Sequence, residues 1–246
     1  MKNAILLLLF IPTFAEADFN FATDGLCFRN GTEELREFGP LGRLGDEKGV
    51  CQGMSGIVSG FYEQTSFEPE RQRLSESEAF HALEDVVKMH SANCSRKKVV
   101  ISGYSNLQEF CRDHKRLFLA KSISYNADIA VKEIAPLYLE FQSYKKKPVT
   151  TSVGRRKIHK AVEIIRKKLS QGRWPLMLYF SHVVSVVSIK DEFTHGKLSK
   201  VILGIYDSNY EATLKYEIPY ELDDLPGIGQ KMIWEITPER KFVPCE

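Results

Sequence analysis

Cys51, His182 and Asp207 are the residues of this sequence whose side chains could together carry out nucleophilic chemistry. Cys51 opens a segment with helical spacing that continues to about Tyr62. Backbone N–H groups at a helix start have no intrahelical partner, and with the positive end of the helix dipole they favour a thiolate over a thiol. The same position also suits a small buried apolar side chain or half of a disulfide. This segment alone does not separate these interpretations.

The other two residues lie on runs that predict neighbouring strands. A β-hairpin symmetric about a polar loop at Lys190–Ser199 would pair His182 with Asp207 and Val184 with Ile205. Cross-strand partners hold their Cβ atoms about 4.5–5.5 Å apart on one face of the sheet, within reach of a carboxylate–imidazole hydrogen bond. A slip of one residue would break this pairing.

A histidine on an apolar strand is more often a core residue that has found a hydrogen-bond partner. An aspartate opposite His182 and a cysteine at a helix start change that balance. The carboxylate would hold the imidazole tautomer, the imidazole would take the thiol proton, and the sulfur would become the nucleophile. The pattern therefore predicts Cys51 as nucleophile, His182 as base and Asp207 as the residue that orients the base.

The sequence contains 5 cysteines, an odd number that leaves one thiol unpaired, or paired with another chain, in an oxidising compartment. If Cys51 is the free thiol, the other four could form two disulfides in any of three connectivities. Proximity in sequence favours a bridge between Cys94 and Cys111, with Cys27 and Cys245 remaining.

The first 17 residues have the layout of a secretory signal peptide. Lys2 supplies a positive start, Ala4–Phe10 is apolar, and Ala15-Glu16-Ala17 gives a small-x-small cleavage site. No later stretch approaches the ~20 apolar residues of a spanning helix. We therefore expect a mature protein that begins near Asp18 and is secreted or periplasmic. The stretch Asp18–Lys48 is a candidate pro-segment.

The remaining residues, 18–246, are expected to form a single α+β domain, with a mainly helical half (about 18–172) and a β half (about 173–246). A capping box at Ser75–Glu78 predicts a helix start. The helix that follows should turn Phe80, Leu83 and Val87 inward.

A further helix is expected over Lys157–Leu169, closed by Gly172. Strands are expected afterwards at Leu176–Phe180, His182–Ile189 and Val201–Tyr206. In the Cys51 segment, glycines at positions 53, 56 and 60 suggest a close approach of another backbone or of a substrate.

The formal net charge of +2 gives no drive toward nucleic acid or an anionic membrane. Basic clusters such as Arg166-Lys167-Lys168 are best interpreted as solvated helix faces. The histidines are scattered and show no metal-ligand spacing, so the sequence predicts neither a metal site nor a cofactor. A peptide or protein is the expected partner, and the oligomeric state is left open.

Three patches resemble papain-like cysteine peptidases of bacteria, in particular secreted effector proteases and peptidases that process bacteriocin leaders. The patches are Gly49–Ser55, His182–Val187 and Tyr206–Tyr210. The resemblance implies a papain-like fold, with the cysteine on a helix, the histidine and aspartate on neighbouring strands, and an active-site cleft between. It also implies peptide hydrolysis through a thioester, although the same triad serves amidases and transglutaminase-type acyltransferases.

The sequence departs from that family at two places. It has Ser181-His182-Val183 where the family commonly has Gly-His-Ala. The family also forms its oxyanion hole from the N–H of the nucleophile and a side-chain amide a few residues upstream. Here that stretch is Gly45-Asp46-Glu47-Lys48, without Asn or Gln, and losing one such donor typically reduces the rate by ~10²–10³. The second donor is thus unassigned, which supports an alternative: an inactive secreted binding or inhibitory module with the same fold.

Overall fold

Helices occupy most of the first part of the chain and antiparallel strands the last part in the computed structural model, which describes residues 19–38, 50–92, 98–129, 162–179, 182–209, 216–221 and 234–235. This is the mixed α+β arrangement predicted from the sequence. The predicted signal peptide, Cys94 and Cys245 lie outside the described residues.

The helices are α1 (Phe21–Asp24), a 3-10 helix (Glu33–Phe38), α2 (Cys51–Gln64), α3 (Glu76–Ala92), α4 (Leu107–Asp113), α5 (Lys115–Ile129) and α6 (162–170). The predicted capping box starts α3, because the Ser75 N–H donates to the Glu78 carboxylate at 2.8 Å and the Glu78 N–H donates to the Ser75 hydroxyl at 3.4 Å. Gly172, with φ of +69°, ends α6 as predicted, and its N–H donates to the Leu169 carbonyl at 2.9 Å.

Two predictions about helix faces are wrong. Leu83 and Val87 are buried in α3 as predicted, but Phe80 is 45% exposed, because the buried stripe passes through Ala79 instead. In α6, Lys168 is buried and Arg166 forms a bidentate ion pair with Asp191, so this basic cluster is not a solvated face.

A five-stranded antiparallel sheet forms the later part of the described chain. Its strands are β3 (Leu176–Tyr179), β4 (His182–Thr194), β5 (Lys197–Tyr206), β6 (Tyr216–Glu221) and β7 (Trp234–Glu235), in the spatial order β6-β5-β4-β3-β7. Helix α6 covers this sheet and packs Val162 and Ile165 against an apolar cluster from β3, β4 and β5.

The β4–β5 hairpin exists as predicted, but its loop and register are wrong. The strands continue through the charged residues assigned to the loop, and they turn only at His195 and Gly196, which have φ of +51° and +75°. Positive φ at both central residues suits a two-residue hairpin turn. Ile205 pairs with Val186, not with Val184, so the register is displaced by two residues near the open end.

Strands β1 (Thr65–Glu68) and β2 (Val99–Ser102) form a separate parallel pair that the sequence analysis did not predict. Helix α3 is part of the connection between them. The pair follows directly from α2, so it holds the far end of the helix that begins at Cys51.

Helix α2 lies at the centre of the larger core, with residues 51–61 all buried. A Cβ added to Gly53 would lie 2.0 Å from the Ser122 carbonyl oxygen of α5, so only glycine allows this approach. Gly56 faces the Tyr125 ring and Gly60 faces His90. The close approach predicted from these glycines is therefore confirmed for α5, and it fixes the position of α2.

Candidate active site

Cys51 is the first residue of α2, and its thiol is free and buried. The backbone N–H of Val183 donates to Cys51 Sγ at 3.4 Å. Because Val183 directly follows His182 in β4, this contact brings the sulfur beside the strand start that carries the imidazole. The structure therefore brings together a helix start and a strand start that are far apart in sequence.

His182 and Asp207 are in direct contact, since His182 Nε2–H donates to Asp207 Oδ1 at 2.5 Å. They are not opposed partners, because Ser185 pairs with Tyr206 and Asp207 lies just beyond the end of β5. The predicted contact survives because the displacement at this open end of the hairpin is two residues, which keeps the side chains there on their original face. Diagonal neighbours on one face remain within reach of long side chains.

The environment of His182 favours its protonated form. Burial lowers the pKa of His182, but hydrogen bonds to Asp207 and Cys51, together with the charges of both, outweigh burial and raise the pKa to about 9. The arrangement can thus hold a sulfur nucleophile and a proton donor in contact.

A seam of hydroxyl groups fixes α2 against β4. Cys51, Ser55 and Ser59 are spaced by four residues and form one stripe of α2. The Ser55 hydroxyl donates to the Val183 carbonyl at 3.1 Å, and the Ser59 hydroxyl donates to the Ser185 hydroxyl at 3.0 Å. The Ser185 hydroxyl in turn donates to the Ser55 carbonyl at 3.0 Å. These buried hydrogen bonds fix the position of α2 along β4, and with it the position of the Cys51 sulfur.

Two asparagines that the sequence analysis did not identify also belong to the site. The Asn209 N–H donates to Asp207 Oδ1 at 2.9 Å, the same oxygen that accepts from the imidazole, and so helps to hold the carboxylate. Asn30 donates from its backbone N–H to the Ser208 carbonyl at 2.7 Å. Asn30 begins the triplet Asn30-Gly31-Thr32, which matches a glycosylation acceptor but does not indicate a role in this site. Asn30 lies far from these residues in sequence and reaches them only in the fold.

Near the nucleophile, helix geometry makes the backbone N–H of Cys51 available as an oxyanion donor. Gly53 N–H donates to Asn126 Oδ1 at 3.3 Å and Met54 N–H donates to the Val50 carbonyl at 3.0 Å. The N–H of Cys51 belongs to the first turn, where no intrahelical acceptor exists. The upstream stretch Gly45–Lys48, where a second donor was sought, lies outside the described residues.

The predicted disulfide is wrong, because Cys111 bridges to Cys27 and not to Cys94. The two half-cystines are 84 residues apart in sequence but have Cα atoms 5.7 Å apart. The bridge fastens the segment that carries Asn30 to α4. It also shows that residues 19–38 are packed into the described fold, where Leu35 is fully buried.

Within the described ranges, no group of three or more His, Cys, Asp or Glu side chains is placed to hold a metal ion. In the same ranges, no helix is both long and apolar enough to cross a membrane.

The chain matches the family described as Domain of unknown function (DUF8321) over residues 51–121. This match begins at Cys51 and ends within α5, so it includes the candidate nucleophile but neither His182 nor Asp207. Comparisons with curated proteins and with solved structures return no match. The matched family carries no assigned activity, and the chemistry has to be argued from the geometry of the site.

Proposed function

We propose that the protein is an exported cysteine hydrolase with a papain-like arrangement, which cleaves peptide or amide bonds through Cys51, His182 and Asp207. The observation that carries the proposal is the His182–Asp207 hydrogen bond of 2.5 Å, beside a free thiol at the start of a buried helix. A histidine with a purely structural role in the core would require a hydrogen-bond partner such as Asp207. Such a role would not explain the cysteine at a helix start beside it.

In the proposed reaction the thiolate of Cys51 attacks the carbonyl carbon of the substrate, and the oxyanion forms near the N–H groups of the first turn of α2. The imidazolium of His182 then gives its proton to the leaving amine, and a thioester remains on Cys51. Neutral His182 next takes a proton from water, which attacks the thioester and releases the acid. Asp207 holds the imidazole in place throughout.

The proposed export to the periplasm or to the extracellular space rests on the layout of residues 1–17 and on the disulfide. Disulfides persist in oxidising compartments and are rare in the cytosol. The Cys27–Cys111 bridge supports such a compartment for this chain.

A second candidate is a binding or inhibitory module with the same fold and no catalysis. The observation that favours it is the burial of Cys51, which is only 8% exposed. A third candidate keeps the triad but transfers the acyl group to an amine, as in transglutaminase-type acyltransferases. The same residues serve this reaction, so the acceptor must be established by product analysis.

Covalent labelling tests the proposal directly. The folded protein is treated near neutral pH with a peptidyl chloromethyl ketone, and the adduct is mapped by mass spectrometry. We expect modification of Cys51, slowed by about 10²–10⁴-fold in His182→Ala, which is the range that a general base contributes. His81→Ala is the matched control, because His81 is exposed on α3 and should leave the rate unchanged.

Labelling of Cys51 only after unfolding would contradict the hydrolase proposal and favour the binding module. If Cys51 reacts, incubation of a peptide library with and without an added amine separates hydrolysis from acyl transfer.

A further inference from the structure

The first turn of α2 is capped by side chains from two other segments of the chain. The Val50 N–H donates to Asn30 Oδ1 at 2.6 Å, and the Gly53 N–H donates to Asn126 Oδ1 of α5 at 3.3 Å. A backbone N–H can only donate, so each bond requires the oxygen of the carboxamide. We call Asn30 and Asn126 the remote caps of α2.

The remote caps replace the two bonds of a capping box. In that motif the side chain of the N-cap residue accepts from the N–H of the third helical residue, whose own side chain accepts from the N–H of the N-cap. In α2 these positions are Val50 and Gly53, which have no polar side chain. Helix α3 makes both bonds locally, through Ser75 and Glu78. The remote caps therefore supply from a distance what α3 obtains within one turn.

The packing of α5 against α2 explains why the cap is not local. A Cβ at position 53 would lie 2.0 Å from the Ser122 carbonyl oxygen, so no side chain fits where a capping box requires one. Asn126 follows Ser122 by four residues and lies on the same face of α5. The close approach that excludes a local cap thus also brings the remote cap to the Gly53 N–H.

The remote caps are also uncharged. Acidic residues stabilise a helix start through the helix dipole, and they occur in the first turns of α3 (Glu76 and Glu78) and α4 (Glu109). The first turn of α2 has none. A carboxylate there would stabilise the helix, but it would oppose the negative charge that attack by Cys51 brings to the same point.

We propose that Asn30 and Asn126 are positioning residues that fix the first turn of α2 and keep the positive end of its dipole for the anionic groups of the reaction. The inference rests on the proposed function, since those groups are the attacking sulfur of Cys51 and the oxyanion that forms next to it. The remote caps occupy the N–H groups of Val50 and Gly53. The two N–H groups between them have no intrahelical acceptor.

Asn126→Asp tests the inference, because it keeps an oxygen acceptor for the Gly53 N–H and adds a negative charge. A carboxylate at a helix start stabilises the helix, so the Tm should equal or exceed that of wild type. Labelling of Cys51 by the peptidyl chloromethyl ketone should still slow by about 5- to 30-fold. A cap with only a structural role would not separate the two measurements, because an intact fold would react at an unchanged rate.

Salt distinguishes charge from geometry. The loss of rate in Asn126→Asp should shrink between about 0.01 M and about 1 M NaCl, because salt screens the added charge and leaves the cap in place. Asn126→Ala removes the cap without adding charge. It should lower both the Tm and the labelling rate, and this loss of rate should not depend on salt.

Two further variants complete the comparison. Asn30→Asp should slow labelling in the same salt-dependent way, although it also gives up the bond from Asn30 Nδ2 to Asn209 Oδ1. Asn106→Asp is the matched control, because Asn106 caps α4 through the Glu109 N–H at 2.9 Å and an aspartate can take over that role. It should leave the labelling rate unchanged.

A wild-type labelling rate in Asn126→Asp would overturn the inference. A slower rate that comes with a lower Tm, or that does not respond to salt, would also overturn it, because altered packing explains that result. The proposed function fails in a different way. If Cys51 of the folded wild type is not labelled, the hydrolase and the role of the remote caps are both rejected. If wild type is labelled and Asn126→Asp matches it, only the remote caps lose their role.

Discussion

The Ser185 hydroxyl donates a buried hydrogen bond of 3.0 Å to the Ser55 backbone carbonyl, one helical turn after the candidate nucleophile. Strand β4 is thereby fastened to α2 at a fixed register. The distance between Cys51 and His182 is set by this side-chain contact as well as by the apolar core.

Ser185→Ala should lower both stability and thiol reactivity. It leaves the buried Ser59 hydroxyl and Ser55 carbonyl without this partner, and each unsatisfied group costs about 1–3 kcal/mol. Urea unfolding measures the stability, and the rate of Cys51 alkylation reports the position of the sulfur. Ser170→Ala is the control, because Ser170 is exposed near the end of α6 and its hydroxyl donates to the Lys167 carbonyl. Equal stabilities for both variants would contradict the role of the seam.

Gly53→Ala should destabilise the fold by at least about 2 kcal/mol, because overpacking against a backbone atom cannot be relieved by a side-chain rotation. The added Cβ would lie 2.0 Å from the Ser122 carbonyl oxygen. Gly60→Ala is a matched change in the same helix, where the nearest atoms are side-chain carbons at 3.2 Å. There the gain of about 1 kcal/mol in helix propensity should offset the tighter contact. Thermal unfolding of the two variants side by side tests this difference.

Asp207→Asn should destabilise the protein in a pH-dependent way. The pKa of His182 is raised from 6.5 to about 9, so its protonation stabilises the fold fully below pH 6.5, and this contribution is lost as the pH rises through 9. The difference in Tm between wild type and Asp207→Asn should therefore be large near pH 6 and small near pH 10. A difference that grows with pH would contradict the assigned ion pair.

The Cys27→Ala/Cys111→Ala double variant should lose about 2–5 kcal/mol of unfolding free energy, as is typical when a native disulfide is removed. Cys51→Ala removes a buried thiol that forms no bridge and should cost much less. Urea unfolding under non-reducing conditions compares them. If Cys51→Ala is less stable than the double variant, the disulfide does not contribute the expected stability to the fold.

The sequence was sufficient to predict features that depend on neighbouring residues, or on which face of a strand a side chain occupies. The capping box, the Gly172 helix end and the start of α2 were predicted because their signals lie within a few residues. The His182–Asp207 contact was predicted from a wrong register, since an error of two residues preserves the face.

Features that depend on residues distant in sequence were missed. Proximity along the chain favoured Cys94 for Cys111, but the fold brings Cys27 to it. The glycosylation triplet at Asn30 does not indicate its place in the site, because its contacts exist only after the helix start and the Asp207–Asn209 turn have come together. The parallel pair β1–β2 was missed because it consists of two four-residue strands joined through α3.

The Cys27–Cys111 bridge has a consequence for proteolytic maturation. Residues 19–38 carry Asn30 to the site, and a cut anywhere between residues 39 and 49 would leave this piece covalently joined to α4. A cleaved molecule would therefore persist as two chains in one particle, and the N-terminal piece would separate only under reducing conditions. The segment proposed as a removable pro-region would thus stay attached to the rest of the protein after such a cut.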